Sequence, residues 1–302
     1  MYVILITGCS SGFGLLTAAR LATSGHTVYA SMRDLGKQEA LLAEVSTRGG
    51  EVRVIQLDVT DRQSIEAAIE RIEQEQGRLD VVVNNAGYGI GGFFEELSEA
   101  EIREQFDTNF FGAQAVTRAA LPLLRRTAAQ SEHRTKVINI SSIQGLAPLP
   151  LMGAYCASKF ALEGFSEGLH FELQPFGVDV VLVEPGAFKT AIFAENRRMA
   201  SRMGADASPY TRFGQRLLAM VEGRIASGRG AGDAEDVARL IERIINQPRP
   251  RLRYLIGASG RLRYLLRSIL PFKWYRRLVL HMAYGPLQKT TQSNQPGVSG
   301  NW

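Results

Sequence analysis

Seven short apolar runs, rich in Val and Ile and separated by helix-length stretches, constrain this chain more than any other feature. They fall at residues 2–6, 27–31, 52–57, 79–83, 136–140, 178–183 and 252–256. Nearly continuous apolar runs suit strands buried on both faces. Strands that alternate with helices form βαβ units, and right-handed crossovers wind these into one parallel sheet. The expected architecture is therefore α/β: a Rossmann-type, doubly wound parallel sheet of seven strands. Residues 1–257 form the main expected domain, interrupted by a long insertion at 187–230 that reads as an irregular lid. Residues 258–284 form a basic amphipathic extension, and 285–302 a polar tail expected to be disordered.

Directly after the first run comes Thr7-Gly8-Cys9-Ser10-Ser11-Gly12-Phe13-Gly14, and a helical segment follows it. Glycine lets a backbone approach a pyrophosphate closely, and the N-terminus of the next helix favours its charge. Gly8, Ser10, Ser11, Gly12, Phe13 and Gly14 are thus candidates for holding a dinucleotide. The second run ends Ala30-Ser31-Met32-Arg33-Asp34. A carboxylate at the end of that strand would accept from the ribose 2′-hydroxyl of NAD, whereas a cation would pair with the 2′-phosphate of NADP. Met32 stands in the acid's place, Arg33 follows, and Asp34 comes one step late, as a helix cap would. The expected cofactor is NADP(H).

Tyr155 and Lys159 lie four apart in a helical segment, so their side chains share a face. A free phenol, with a pKa near ~10, is a poor base at neutral pH. A neighbouring ammonium stabilises the phenolate, which lets the phenol exchange a proton with an alcohol or ketone.

These motifs, with LDVT at 57–60, NNAG at 84–87, NFFG at 109–112, INISS at 138–142, YCASK at 155–159 and EPGAFKT at 184–190, resemble those of the short-chain dehydrogenase/reductase family in type and order. CSSGFG with VYASMRDLGK is most similar to its branch of 17β-hydroxysteroid and retinol dehydrogenases, which prefers NADP(H). The resemblance implies a catalytic set of Asn109, Ser142, Tyr155 and Lys159. Ser142 would orient the substrate oxygen, with Ser141 left to structure, and Asn109 would hold a water linking Lys159 to solvent. It implies that Asp58 and Val59 meet the adenine, that Asn84, Asn85, Ala86 and Gly87 line the ribose and steady the sheet, and that Pro185, Gly186 and Thr190 hold the nicotinamide end beside Tyr155 and Lys159. It also implies pairing through the two central long helices, as a homodimer.

Rival chemistries find little support. The four His are scattered, and the two cysteines, Cys9 and Cys156, lack metal-ligand or disulfide spacing, so no metal is expected and a reducing, cytoplasmic setting fits. There is no GxSxG elbow. No run of eighteen apolar residues occurs, and MYVILITGCS reads as a strand, not a signal peptide. Apolar residues at 143–153 and 188–203 suit a hydrophobic alcohol or carbonyl compound; steroid, retinoid and long-chain carbonyl substrates all stay open, and the resemblance implies one of the first two. Two alternatives stay open: a β-ketoacyl reductase for a carrier protein or coenzyme A, and a non-catalytic NADP(H)-binding redox sensor.

Charge adds one further constraint. Eleven Lys or Arg and no acid follow Glu242, so a net +5 for the chain becomes −6 for residues 1–242. Leu262, Leu265, Leu266, Ile269 and Leu270 recur at helical spacing among Arg261, Arg263 and Arg267, and Pro271 interrupts them. Residues 261–284 could lie on a membrane surface, or pack their apolar face on the body with Arg outward; amphipathicity alone does not choose. No nucleic-acid reading motif accompanies the basic residues, so no such partner is expected.

Overall fold

The computed structural model describes residues 1–188, 197–204, 208–227 and 232–285. Its main sheet holds seven parallel strands: β1 (Val3–Ile6), β2 (Thr27–Met32), β3 (Arg53–Gln56), β4 (Val81–Asn84), β6 (Thr135–Ile140), β7 (Val178–Pro185) and β9 (Arg253–Ile256). All seven sequence runs supply strands of this sheet. Their spatial order is β3-β2-β1-β4-β6-β7-β9, so the winding reverses between β1 and β4. In such folds ligands bind outside the strand ends at that reversal.

Helices cover both faces: α1 (Gly12–Ala22), α2 (Glu39–Thr47) and α8 (Ala234–Asn246) on one, α3 (Arg62–Gln76), α5 (Ala113–Ala129) and α6 (Gly153–Leu173) on the other. The two-residue strand period shows in β1. Ile4 and Ile6 join the core under α1 and α8, while Val3 and Leu5 join the core under α3 and α5. Arg20 on α1 ties both Glu235 and Glu242 of α8 to that layer. Asp233 caps α8 by accepting from the Glu235 N–H at 3.0 Å.

The insertion departs from the sequence reading. Residues 187–230 are not irregular throughout: they contain β8 (Arg197–Met199) and α7 (Thr211–Ser227). β8 pairs in parallel with β5 (Gly89–Gly91), which follows the NNAG motif, so the insertion is anchored beside the β4 end. Asp34 caps the short 3-10 helix Leu35–Lys37 that follows β2, accepting from the Gly36 N–H at 2.9 Å. The remaining helices are α4 (Glu99–Phe106), α9 (Ala258–Ile269) and α10 (Phe272–Tyr284), the last two parted by Pro271. Thr190, most of the 285–302 tail and parts of the insertion lie outside the described residues. Among the described residues, no helix is long and apolar enough to cross a membrane.

Candidate active site

The turn between β1 and α1 takes its shape from glycine. Gly8 has a φ of +73°, and a Cβ there would lie 2.8 Å from the Ala86 Cα. A Cβ on Gly14 would stand 2.4 Å from both the Asn85 side chain and the Gly8 carbonyl. Asn85 explains that crowding: its amide donates to the Thr7 and Gly8 carbonyls, at 2.8 and 3.0 Å. The Thr7 hydroxyl accepts from the Asn85 and Ala86 N–H groups, both at 3.0 Å. Thus β4's NNAG turn and β1's glycine turn are laced together.

An open groove runs along this seam. Gly8, Ser10, Ser11, Gly12, Phe13, Arg33, Asp58, Val59, Asn85, Ala86 and Gly87 all line it. Gly14 stands behind the groove wall, packed against Asn85 and the Gly8 carbonyl. Arg33 is exposed beside buried Met32 at the end of β2. Asp58 accepts from the Thr60 N–H at 3.0 Å and from its hydroxyl at 2.8 Å, which fixes the carboxylate in the groove wall. A groove walled by backbone donors, with glycine where a side chain would clash, fits a dinucleotide.

The groove continues into a recess lined by Ser142, Tyr155, Lys159, Pro185 and Gly186, and closed by Phe13, Ile140 and Phe188. Phe188 meets Phe13 edge-on, with centroids 5.7 Å apart. Tyr155 and Lys159 lie one turn apart on α6, both buried. The Lys159 Nζ stands 5.8 Å from the Tyr155 ring centroid and donates to the Ile140 carbonyl at 2.8 Å. Ser142 caps the turn after β6: its Oγ accepts from the Gln144 N–H at 3.1 Å, leaving its proton to donate.

Burial works on the pair in opposite senses. It pushes the Tyr155 phenol up to about 12, against the pull of its hydrogen bond with Ser142. It holds the Lys159 ammonium down at about 8, against the stabilising charge of Glu163. In the protein alone, then, desolvation outweighs the depression of the phenol that the Tyr–Lys spacing suggests. Cys156 is buried, its thiol donating to the Gln144 side chain at 3.6 Å.

Asn109 does not line the recess. It sits in a π-helical turn, Asp107–Gly112, an irregularity frequent at functional sites. Its Oδ1 accepts from the Tyr88 N–H at 3.0 Å, and its Nδ2 donates to the Tyr88 carbonyl at 2.9 Å and to Ser158 at 3.2 Å. It therefore fixes the backbone just after NNAG. Asn84 bonds Thr117 and Asn139, each at 2.8 Å, steadying the sheet below. Among the described residues, no cluster of His, Cys, Asp or Glu could hold a metal ion.

Two groups escaped the sequence reading. Arg198, from β8, lines the groove, pairs with Glu104 at 2.5 Å and stacks 4.8 Å from the Tyr88 ring centroid. Behind Lys159, Arg253 bridges buried Glu163 and Glu184 and reaches Glu167 at 2.7 Å. Burial, with the Glu163 charge adding to it, pushes Glu184 up to about 7.

Comparison with known proteins gives the same outline. The family described as short chain dehydrogenase matches residues 2–201. A 3-ketodihydrosphingosine reductase of Bacteroides thetaiotaomicron is 46% identical over 202 residues, covering 67% of this chain and 69% of that protein. Human retinol dehydrogenase 8 is 39% identical, covering 83% of this chain and 79% of its own. Human 17-beta-hydroxysteroid dehydrogenase type 1 is 37% identical, covering 83% and 76%. Among solved structures, a short-chain dehydrogenase from Streptomyces avermitilis superposes with a TM-score of 0.75 at 31% identity, covering 93% of this chain and 96% of its own. One from Burkholderia phymatum, in complex with NAD, gives 0.72 at 28% identity (89% and 94%). A metagenomic one, in complex with NADP, gives 0.65 at 26% identity (84% and 96%).

Proposed function

The chain belongs to the short-chain dehydrogenase family, and from that premise we propose that it is an NADP(H)-dependent oxidoreductase interconverting a hydrophobic alcohol and its ketone or aldehyde. The observation that carries this reading is the meeting of Ser142, Tyr155 and Lys159 in one recess that opens into the glycine-walled groove. When bound, the nicotinamide supplies or takes up the hydride. The protein's share is placement and a proton. At neutral pH the Tyr155 phenol is protonated, so it is set to give that proton to a carbonyl oxygen during reduction. Ser142 donates to the same oxygen and orients it. Lys159 stabilises the phenolate left behind; in the oxidative direction the phenolate takes the proton back. Asn109 holds the Tyr88 backbone beside Lys159, and its Oδ1 has a lone pair left for the water that the family resemblance implies.

Arg33 at the groove, beside Met32 and not a carboxylate, favours the 2′-phosphate of NADP. The apolar wall of the recess favours a lipid-like substrate. Steroid, retinoid and long-chain ketone substrates each have a named relative above. Contact with a membrane surface through residues 261–284 and a homodimer formed through the long helices complete the proposal.

A panel of steroid, retinoid and long-chain acyl ketones, followed by NADPH absorbance, tests the reading. Turnover of at least one class is expected, with kcat/KM for NADPH above that for NADH. Arg33→Ala should reduce that preference about tenfold or more, the size of one charge-assisted contact. Equal use of NADH by the wild type and by Arg33→Ala would refute the cofactor assignment. Absence of turnover with every class would refute the substrate assignment.

A further inference from the structure

An amphipathic helix that merely completes a core turns its apolar side inward and its charges outward. The α9–α10 elbow leaves much of its apolar side open instead. Six large apolar side chains between residues 262 and 274 stand open: Leu262 (57%), Tyr264 (41%), Leu265 (52%), Ile269 (68%), Phe272 (63%) and Trp274 (57%). Leu262, Leu265 and Ile269 share one face of α9. Arg263 and Arg267 turn toward the body and are half-buried; the Arg267 guanidinium lies 5.6 Å from the centroids of both Phe272 and Tyr275. Arg261, Lys273, Arg276 and Arg277 are exposed around the apolar patch. The exposure of Leu262, Leu265 and Ile269 runs against the packing alternative, apolar face inward and Arg outward, on that part of α9. Exposed apolar side chains beside exposed charges mark an interaction surface.

The same elbow is joined to the site. A Cβ on Gly260, in the first turn of α9, would lie 3.0 Å from the Gly186 Cα, so this helix rests on the nicotinamide-end loop. Ala283, near the end of α10, packs with Phe93, Leu151 and Leu217 in an apolar cluster on the insertion side.

We infer that the outward face of the α9–α10 elbow is a docking surface for an anionic lipid bilayer, and that it holds the substrate recess against the membrane from which an apolar substrate is drawn. The inference rests on the reading of an enzyme for lipid-like substrates, and names the partner of its mouth. Charge chooses the bilayer over a second copy of this chain. A two-fold pairing would set Arg261, Lys273, Arg276 and Arg277 against their own copies, with no acid anywhere after Glu242 in this segment to neutralise them. An anionic surface neutralises them all, while Leu, Phe and Trp side chains enter the interface.

The test uses the full-length protein with phosphatidylcholine vesicles, with and without phosphatidylglycerol. Co-sedimentation is expected with the anionic vesicles and should weaken as salt rises. In a Trp302→Phe background Trp274 is the only tryptophan, and its emission should shift to the blue on binding. Leu265→Asp with Ile269→Asp, and separately Arg276→Glu with Arg277→Glu, should each weaken binding about tenfold or more. Turnover of a water-soluble ketone should persist in both. Failure to sediment with anionic vesicles, or binding by both double variants as tight as the wild type's, overturns the inference. If Leu265→Asp with Ile269→Asp instead dissociates a lipid-free dimer in sedimentation velocity, the occupant is a second copy and the inference also falls. Lost turnover in the wild type with binding intact would count against the enzymatic reading and leave the docking surface standing.

Discussion

Tyr155 and Lys159 share a recess in which burial disfavours the charge of each, so their titrations set the working range of the site. Lys159 is charged below its folded pKa of about 8 and neutral above it. Support for the phenolate should therefore fade as pH rises through that value. The expected outcome is an alkaline limb near pH 8 in the kcat/KM profile measured for the cofactor; a limb at pH 10 or above would show that Lys159 keeps the affinity of a solvated amine. The residues of the candidate site were legible because each lies in a short motif with neighbours of its own: Tyr155 and Lys159 one turn apart, Ser142 at a strand end. The Glu163–Glu184–Arg253 cluster was not. Its members lie 69 and 90 residues apart in the chain and meet only because β7 pairs with β9 beside α6. Asn109 was found as a residue, but its partner, the Tyr88 backbone, was visible only once the π-helical turn was in place.

At the level of elements, strands were easier to read than what covers them. A strand buried on both faces announces itself by composition, and so the sheet was found whole. The insertion was read as irregular because β8 is only three residues long and takes its partner, β5, from a distant segment. The orientation of α9 could not be read at all. Spacing gives a helix an apolar side, and only its neighbours decide which way that side faces. The glycine turn permits a sharper test. Gly14→Ala places a methyl where Asn85 and the Gly8 carbonyl already stand. The cost should be about 1–3 kcal/mol of stability, as for other overpacked sites, together with a fall in NADPH affinity of about tenfold or more from the displaced turn. Calorimetry and cofactor titration measure the two effects, and an unchanged Gly14→Ala protein would contradict the interlocked-turn picture.

The whole molecule divides its surface by charge and by polarity. Residues 1–242 carry a net −6, while the segment after Glu242 holds eleven cations. On the body, Phe160 (45%) and Phe171 (67%) stand exposed on α6, with Gly164 and Gly168 opening onto free space between them. Such a stripe lets two copies approach closely, which suits the proposed homodimer. Phe160→Glu with Phe171→Glu should convert a dimer into a monomer in sedimentation velocity, without loss of the folded spectrum; a wild type that is already monomeric would contradict it. The charge division matters to function only if the recess turns over substrate, and that claim rests on one hydroxyl. Stopped-flow NADPH oxidation with Tyr155→Phe, run beside a cofactor-binding titration of the same protein, tests it most directly. The account predicts NADPH affinity within a few-fold of wild type and a turnover rate lower by about 10²–10⁴-fold. Near-normal turnover by the Phe variant would show that the proton comes from elsewhere.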